Sequence, residues 1–309
     1  MDANNDQKTV LSVGMMCLDI VTVCRSYPEE DTDQRVLDYY WQRGGNASTT
    51  STVLAMLGER SEFVGAMATD IESNFLRDNL KSYGVKCDNA MVCESDIKTP
   101  VSMVIINQSN GSRTILHCAK NLPEVSFSHF QTLDLSQYKW IHIEARPAPD
   151  SYSQIMRSIV EHNETVSEKI TISLELEKPR RPELDTLMQY ADVVFISKEK
   201  ADDERLFSKE DVVRTYIKKC KAGAVVICAW GDQGAAALSS KDGVLCTSPV
   251  FPPETLVDTL GAGDTFNAAT VFGLCQGQSL QGAITLGCKV AGAKCGMKGN
   301  NGLKDMKWD

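Results

Sequence analysis

The sequence predicts an α/β protein: a three-layer α/β/α arrangement with a mostly parallel central sheet, plus a small β-sheet lid. Three observations carry that expectation. From residue 140 onward, continuous apolar segments (WIHIEA, ITISLEL, ADVVFIS and AVVICAW) alternate with helical stretches near 151–163, 183–190 and 208–222. Strands that are apolar on both faces belong to a sheet covered on both sides. Two further β-rich stretches, near 17–41 and 98–121, have no helix to cover them, which sets them apart as a small separate sheet in need of something to pack on.

The elements follow in chain order. TVLSVGMMCLDIVTV is β-rich, and the polar loop YPEEDTDQ separates it from a second extended run, RVLDYYWQR. After Gly44-Gly45, NASTTSTVLAMLG places Ala47, Val53, Leu54 and Leu57 near helical spacing, with Gly58 as the stop. SEFVGAM is a short strand. DIESNFLRDNLKSYG is a helix with Ile71, Phe75, Leu76 and Leu80 on one face and Gly84 at its end. In TPVSMVIINQSNGSRTILHCA two apolar runs flank Asn110-Gly111, a strong hairpin signal. These boundaries assign residues 1–16, 42–97 and 122–309 to an α/β core, and 17–41 and 98–121 to a β lid whose uncovered strands would also serve as a dimer clasp.

Composition narrows the function classes. With 42% hydrophobic residues in 309, the chain builds a full core. The net charge is -9 and no block of Lys and Arg stands out, so neither a nucleic-acid nor an anionic-membrane partner is expected. The polar start, MDANNDQKTV, lacks a signal-peptide layout. The longest uncharged run, Thr265 to Cys288, is interrupted by Asn267, Gln276, Gln278 and Gln281, and reads as buried helices. Eleven scattered Cys with no CxxC pair, and four His, indicate neither a disulfide framework nor a zinc site. Many unpaired Cys fit a reducing, cytoplasmic location.

The segment VDTLGAGDTFNAATVFGLCQG, residues 257–277, carries the chemistry. Gly261-Ala262-Gly263 lets backbone N–H groups converge with little Cβ interference. At the start of a long helix those amides form an anion hole, and the helix dipole adds to it. Such a hole suits the charge that spreads over a phosphoryl group in transfer. Asp264 sits at its rim, where phosphate repels it, and accepting a proton from an attacking hydroxyl is a reason for a carboxylate there. An Asp with a pKa of ~3.9 is a weak base, and it suffices when the transition state is loose and the proton moves late. Taken alone, Asp264 also reads as a first-turn acid favoured by the dipole.

The full string DTLGAGD resembles the signature of the ribokinase-like carbohydrate kinase family, and WQRGGNAS at 41–48 resembles a second mark of that family. Within it, the strings LDIV, YPEED, INQSNGSRTI, WIHIEAR, ELEKPR, VVFISK, ICAW, FPPETLVDTLGAGDTFNA and VAGAKCG resemble most the branch that phosphorylates ketohexoses, and they run through nearly the whole chain.

The resemblance implies a ribokinase-like fold, a homodimer joined through the β lid, a small-molecule sugar and ATP as substrates, and Mg²⁺ with the nucleotide. It implies phosphorylation of a ketohexose such as fructose at its 1-hydroxyl, by direct in-line transfer with Asp264 as base and the Gly261, Ala262 and Gly263 amides around the phosphoryl group. Asp19, Gly45 and Asn46 would hold sugar hydroxyls. Asp19, a carboxylate in an apolar strand, needs a partner that paired hydroxyls would supply; the alternative is a strand-end Asp facing water. Asp31 resembles a position that reaches the partner's sugar pocket; the alternative is an exposed acidic loop. Arg113 resembles a contact to ATP phosphates; the alternative is a surface residue of the hairpin. Trp230, Phe251, Cys288 and Cys295 resemble the adenine side, the two cysteines being seven apart on one helical face. Small buried packing residues would give the same cysteine pattern. Asp258 and Thr259 resemble part of a monovalent-cation (K⁺) site.

Two departures stand out. The family usually has Asn three residues after the position of Asn46, where this chain has Thr49, whose hydroxyl is shorter and offers one donor. Many members also carry Asn-x-x-Glu, which organises Mg²⁺ through water; here the matching stretch is Ser197-Lys198-Glu199-Lys200, as in the ketohexose branch, and the metal's protein ligands are left unnamed. Family members acting on ribose, a nucleoside or a keto-deoxy acid, and a non-catalytic sugar-binding relative, remain as alternatives. A nicotinamide-dependent oxidoreductase lacks its GxGxxG after the first strand.

Overall fold

The structure is a computed structural model that describes residues 8–94 and 96–308; the polar residues 1–7 read above lie outside the described residues. The chain opens with β1 (Thr9–Val13), β2 (Cys17–Cys24) and β3 (Asp38–Gly44), then α1 (Asn46–Met56), β4 (Ser61–Val64), β5 (Ala66–Met67), α2 (Ile71–Ser82) and β6 (Met91–Val92). The hairpin follows as β7 (Val101–Asn107) and β8 (Arg113–Cys118), with Gly111 at φ 71° in its connection. Next come α3 (Phe127–Phe130), β9 (Tyr138–Glu144), α4 (Pro149–Thr165), β10 (Thr171–Leu176), β11 (Val193–Ile196), α5 (Lys198–Asp203) and α6 (Lys209–Tyr216). The chain ends with β12 (Val225–Ala229), β13 (Ala235–Ser239), β14 (Leu245–Ser248), α7 (Ala262–Cys275) and α8 (Leu280–Cys295).

An eight-stranded sheet runs in the order β14-β13-β12-β11-β10-β9-β1-β4. It is parallel from β4 to β12, and β13 and β14 add antiparallel strands at one edge. Strand residues alternate between two cores, as the period of two requires. Leu11, Val13, Ile141, Ile143, Ile172 and Leu174 pack with Tyr152, Ile155 and Val212 on one face. Val10, Trp140, Val193, Phe195 and Ile227 pack with Val53, Leu54, Phe266 and Ile284 on the other. These are the three layers expected from the sequence.

The two β-rich stretches without helices pair into one four-stranded sheet, β3-β2-β7-β8. β2 is parallel to β7, and both outer pairings are antiparallel. Its faces are unlike. Ser102, Arg113, Ile115 and His117 line a large cavity, whereas Met103 and Leu116, one residue out of phase, are exposed on the far side.

Three helix expectations change. Ile71 is exposed rather than on the buried face of α2, where Leu76 and Leu80 do the packing; Asp70 caps that helix through the Ser73 N–H, so Ile71 lies on its first turn, at the rim. The stretch at 183–190 is a 3₁₀ run over Pro182–Gln189. The stretch at 208–222 gives α6 only to Tyr216, followed by one 3₁₀ turn. Short amphipathic stretches tighten in this way where packing, not propensity, decides the last turn. Among the described residues no helix is long and apolar enough to cross a membrane.

Because β9 lies in the middle of the parallel run, truncating Ile143 opens a cavity that its neighbours cannot close. Ile143→Ala is expected to lower the unfolding free energy by about 2–5 kcal/mol, read as a shift of the urea midpoint at unchanged slope.

Candidate active site

A cavity of about 1340 Å³ opens at the carboxyl ends of the parallel strands, between them and the four-stranded sheet. In open α/β sheets that end is where ligands bind. Of the residues singled out in the sequence, Asp19, Gly45, Asn46, Thr49, Arg113, Thr259, Gly261, Ala262, Gly263, Asp264, Cys288 and Cys295 line it together.

The floor is the start of α7. Gly261 is its N-cap at φ 75°, a left-handed conformation natural to glycine, and no side chain caps the helix end. The Ala262 N–H turns back to the Thr259 carbonyl at 3.2 Å, and the amides of the turn that follows carry no side-chain cap. A Cβ on Gly263 would meet no atom within 4 Å, so the space beside that turn is free for a ligand. An uncapped helix start facing a cavity is an anion site.

Asp264 stands in that first turn, half-buried. Burial raises its carboxyl well above the ordinary range; Glu175, Glu177 and Glu144 push the same way, and Lys178 opposes them. Glu144 and Glu175 both lie at the carboxyl ends of strands, paired in register across β9 and β10. Neither was singled out from sequence. The available signal was an ionisable residue closing an otherwise apolar strand, in WIHIE and ITISLEL. Glu144 Oε2 accepts from the Met15 N–H at 3.0 Å and the Ala47 N–H at 3.1 Å, and its Oε1 pairs with Arg146 at 3.2 Å.

Asp19 and the Gly44-Gly45 pair form the opposite wall. Asp19 is buried, and burial raises its carboxyl, with Ser102, Cys17 and Arg43 offsetting this in part. The Cys17 thiol donates to it at 3.5 Å. Each glycine has its own reason. A Cβ on Gly44 would fall 2.3 Å from Asp19 Oδ2, and Gly45 at φ 101° would bring one to 2.3 Å from the Met15 carbonyl. Asn46, the first residue of α1, donates from Nδ2 to Glu175 Oε1 at 3.2 Å and to Glu177 Oε2 at 2.8 Å. Thr49 follows one turn later, its methyl 3.5 Å from where a Gly261 Cβ would stand. Arg43, unmarked by the sequence reading, lies beneath this wall; burial pushes its guanidinium down to about 10, and it donates to Asn79, Ser48 and Thr52.

Other residues fall elsewhere. The Trp230 side chain is buried in a core cluster with Lys198 over its ring at 5.4 Å, and Trp230 is not part of the cavity wall; the strand-end aromatic is drawn into the core that its apolar area fits. Phe251 also stays off the wall: its ring packs on the α8 side and its carbonyl presses on Gly292, where a Cβ would come within 1.8 Å. Asp31 sits on an exposed loop at φ 58°, outside the cavity of its own chain.

Asp258 and Thr259 are already engaged. Lys294, fully buried, donates from Nζ to the Asp258 carbonyl and to Oδ2, both at 2.8 Å. The Gly299 and Leu260 amides take the remaining carboxylate positions at 3.2 and 2.9 Å. Arg113 donates to Thr259 Oγ1. An ammonium thus stands on the oxygens that a monovalent cation would use, and this donor set does not fit a K⁺ ion. Among the described residues no group of three or more His, Cys, Asp or Glu is arranged to hold a metal.

The cleft thus sets an uncapped helix start against a buried carboxylate wall, an arrangement compatible with transfer of a phosphoryl group to a small molecule. Residues 7–305 match the pfkB family of carbohydrate kinases, and the chain belongs to that family. It is 45% identical to ketohexokinase of Mus musculus over 96% of this chain and 99% of that protein. It is 21% identical to ribokinase of Bacillus subtilis over 97% and 99%. Among solved structures, ribokinase from Giardia lamblia superposes with a TM-score of 0.81 at 15% identity, covering 96% of both chains. Arabidopsis thaliana ribokinase complexed with ribose and ATP superposes with 0.76 at 18%, covering 95% of this chain and 94% of that one. The chain is an enzyme, a sugar kinase, and its family implies ATP and a divalent metal.

Lys294 and Asp258 form a buried pair that anchors the turn into α7. Lys294→Met leaves the carboxylate without its cation, and is expected to cost about 3–5 kcal/mol of stability, measured by urea denaturation.

Proposed function

We propose that the enzyme transfers the γ-phosphoryl group of ATP to the 1-hydroxyl of a ketohexose, with fructose the first choice. One observation carries the reading: Asp264 and the uncapped α7 turn share one cavity with Asp19, Gly45 and Asn46, so a hydroxyl held by the second set can face a phosphate held by the first. The similarity to ketohexokinase of Mus musculus supports fructose as the sugar.

In the proposed mechanism the 1-hydroxyl attacks the γ-phosphorus in line while the bond to the β-phosphate oxygen breaks. Asp264 takes the hydroxyl proton. The amides of Gly261 to Gly263 hold the equatorial oxygens, the Ala262 N–H leaving the Thr259 carbonyl to do so, and Arg113 adds a fixed positive charge. A divalent ion bound with ATP would neutralise phosphate charge. Asp19 and Asn46 orient the sugar, with Thr49 in place of a longer amide. Cys288 and Cys295 border the adenine, and Phe251 backs that wall from behind α8.

The four-stranded sheet acts as a lid that keeps water from competing as acceptor. Its exposed face, with Tyr39, Met103 and Leu116, is the clasp of a cytoplasmic homodimer, in which Asp31 reaches the partner's sugar pocket.

ADP release measured over a panel of fructose, ribose, nucleosides and keto-deoxy acids tests the substrate; a preference for ribose or a nucleoside would replace the ketohexose. Asp264→Asn is expected to lower kcat at least ~10²-fold while ATP still binds by calorimetry. Near-native turnover in that variant would remove Asp264 as the base.

A further inference from the structure

We propose that Glu175 is a positioning residue for this reaction: its buried carboxylate ties the Asn46 and Asn267 amides together on the cavity wall it shares with Asp264, so that a charge at 175 bears on when Asp264 can accept the proton. The inference rests on the proposed transfer and deepens it. An aspartate at its ordinary ~3.9 is a poor acceptor for an alcohol proton, and the surroundings of Asp264 supply what the side chain lacks.

The geometry begins with Glu175 itself, 5% exposed at the carboxyl end of β10 and on the cavity wall. Its Oε1 accepts from Asn46 Nδ2 at 3.2 Å and from Asn267 Nδ2 at 2.9 Å. Asn46 opens α1, and Asn267 follows Asp264 by three residues on α7, so the two lie on the same side of that helix. One carboxylate oxygen therefore joins the proposed sugar-binding helix to the helix that bears the base. The other oxygen, Oε2, is buried with no hydrogen-bond partner and lies 3.8 Å from His142 Nε2.

His142 does not cancel that charge. It is fully buried, and burial pushes it down to about 4, so it is neutral near pH 7. Trp140 Nε1, which can only donate, bonds to Ser173 Oγ at 2.7 Å. Ser173 Oγ keeps its own hydrogen and lies 2.8 Å from His142 Nδ1; where it donates there, the imidazole proton sits on Nε2, facing Glu175.

The charged groups around this centre are largely acidic. Glu144 comes from β9, with Arg146 just beyond it divided between Glu144 and Glu124. After β10 come Glu177 and Lys178, paired at 2.8 Å. Asp264 comes from α7, and Arg43 acts on it from β3. The register partner from β11 is Phe195, which is uncharged. Burial raises Glu175 as it raises Asp264, and each carboxylate resists the other's ionisation.

The sign follows. Removing the charge at 175 lets Asp264 give up its proton more readily, so activity persists to lower pH. Glu175→Gln keeps the Oε1 acceptor and the volume. In this variant the acidic limb of the kcat/KM profile for fructose is expected to move down by about one pH unit or more, with KM at the optimum changed less than about threefold, on the order of 0.65 kcal/mol. Glu175→Asp, which keeps a charge, should hold the limb near its wild-type position. A limb at the same pH in wild type and Glu175→Gln overturns the proposal.

Carbon-13 titration of glutamate-labelled protein gives a readout apart from turnover, and decides alone should Glu175→Gln fail to fold. One glutamate with a raised midpoint in wild type should titrate about one unit lower in Asp264→Asn; the absence of such a glutamate overturns the proposal. If wild type releases no ADP with any sugar, or Asp264→Asn stays active, the transfer reading itself fails. An inactive Asp264→Asn beside an unmoved limb in Glu175→Gln removes only the role of Glu175.

Discussion

The Glu144 carboxylate is the joint on which the site depends. One of its oxygens accepts from the backbone N–H groups of Met15 and Ala47, and the other pairs with Arg146. It thereby fixes, in one place, the exit from β1, the start of α1 and the end of β9. The requirement reaches further: a Cβ on Gly14 would fall 2.6 Å from Glu144 Oε2, so the chain must be bare there. A buried carboxylate is stable only when donors surround it, and these donors are the backbone groups that aim Gly45 and Asn46 into the cavity. Arg146 is shared with Glu124 on its far side, so one guanidinium holds two carboxylates.

From this joint the rest of the cleft follows. The parallel sheet delivers Glu144 and Glu175 side by side, because their strands end at the same level. α7 then brings an uncapped helix start against that acidic wall. A helix start favours negative charge, whereas the strand ends supply charge of the same sign as a phosphate. The cleft therefore holds attraction and repulsion a few residues apart, with Asp264 at the boundary. Under the proposed transfer, that opposition is what sets the phosphate apart from the hydroxyl. The Lys294–Asp258 pair secures the turn between them from beneath.

Much of this was legible along the chain. The continuous apolar strands gave away the covered sheet, Asn110-Gly111 marked the hairpin, and DTLGAGD placed the glycine turn at the start of α7 and the acid in its first turn. What escaped were residues whose meaning depends on neighbours distant in sequence. Glu175 lies 129 residues from Asn46 and 92 from Asn267, and nothing local shows that they meet. Trp230 and Phe251 end apolar stretches, and sequence does not reveal whether such an aromatic turns toward a cavity or into a core. Lys294 reads as an ordinary cation late in a helix until Asp258 is found against it. Ile71 keeps helical spacing and is still exposed, because its position on the first turn of α2 decides what it meets.

The amino-acid order alone determined the layers, the separate small sheet, the glycine turn and its acid, since each rests on local periodicity or on backbone freedom within a few residues. Only the tertiary structure decided which carboxylates stand behind Asp264, which cation holds Asp258 and which aromatics leave the cavity wall. Those are properties of groups brought together across the sheet, where burial and charge act through space rather than along the chain.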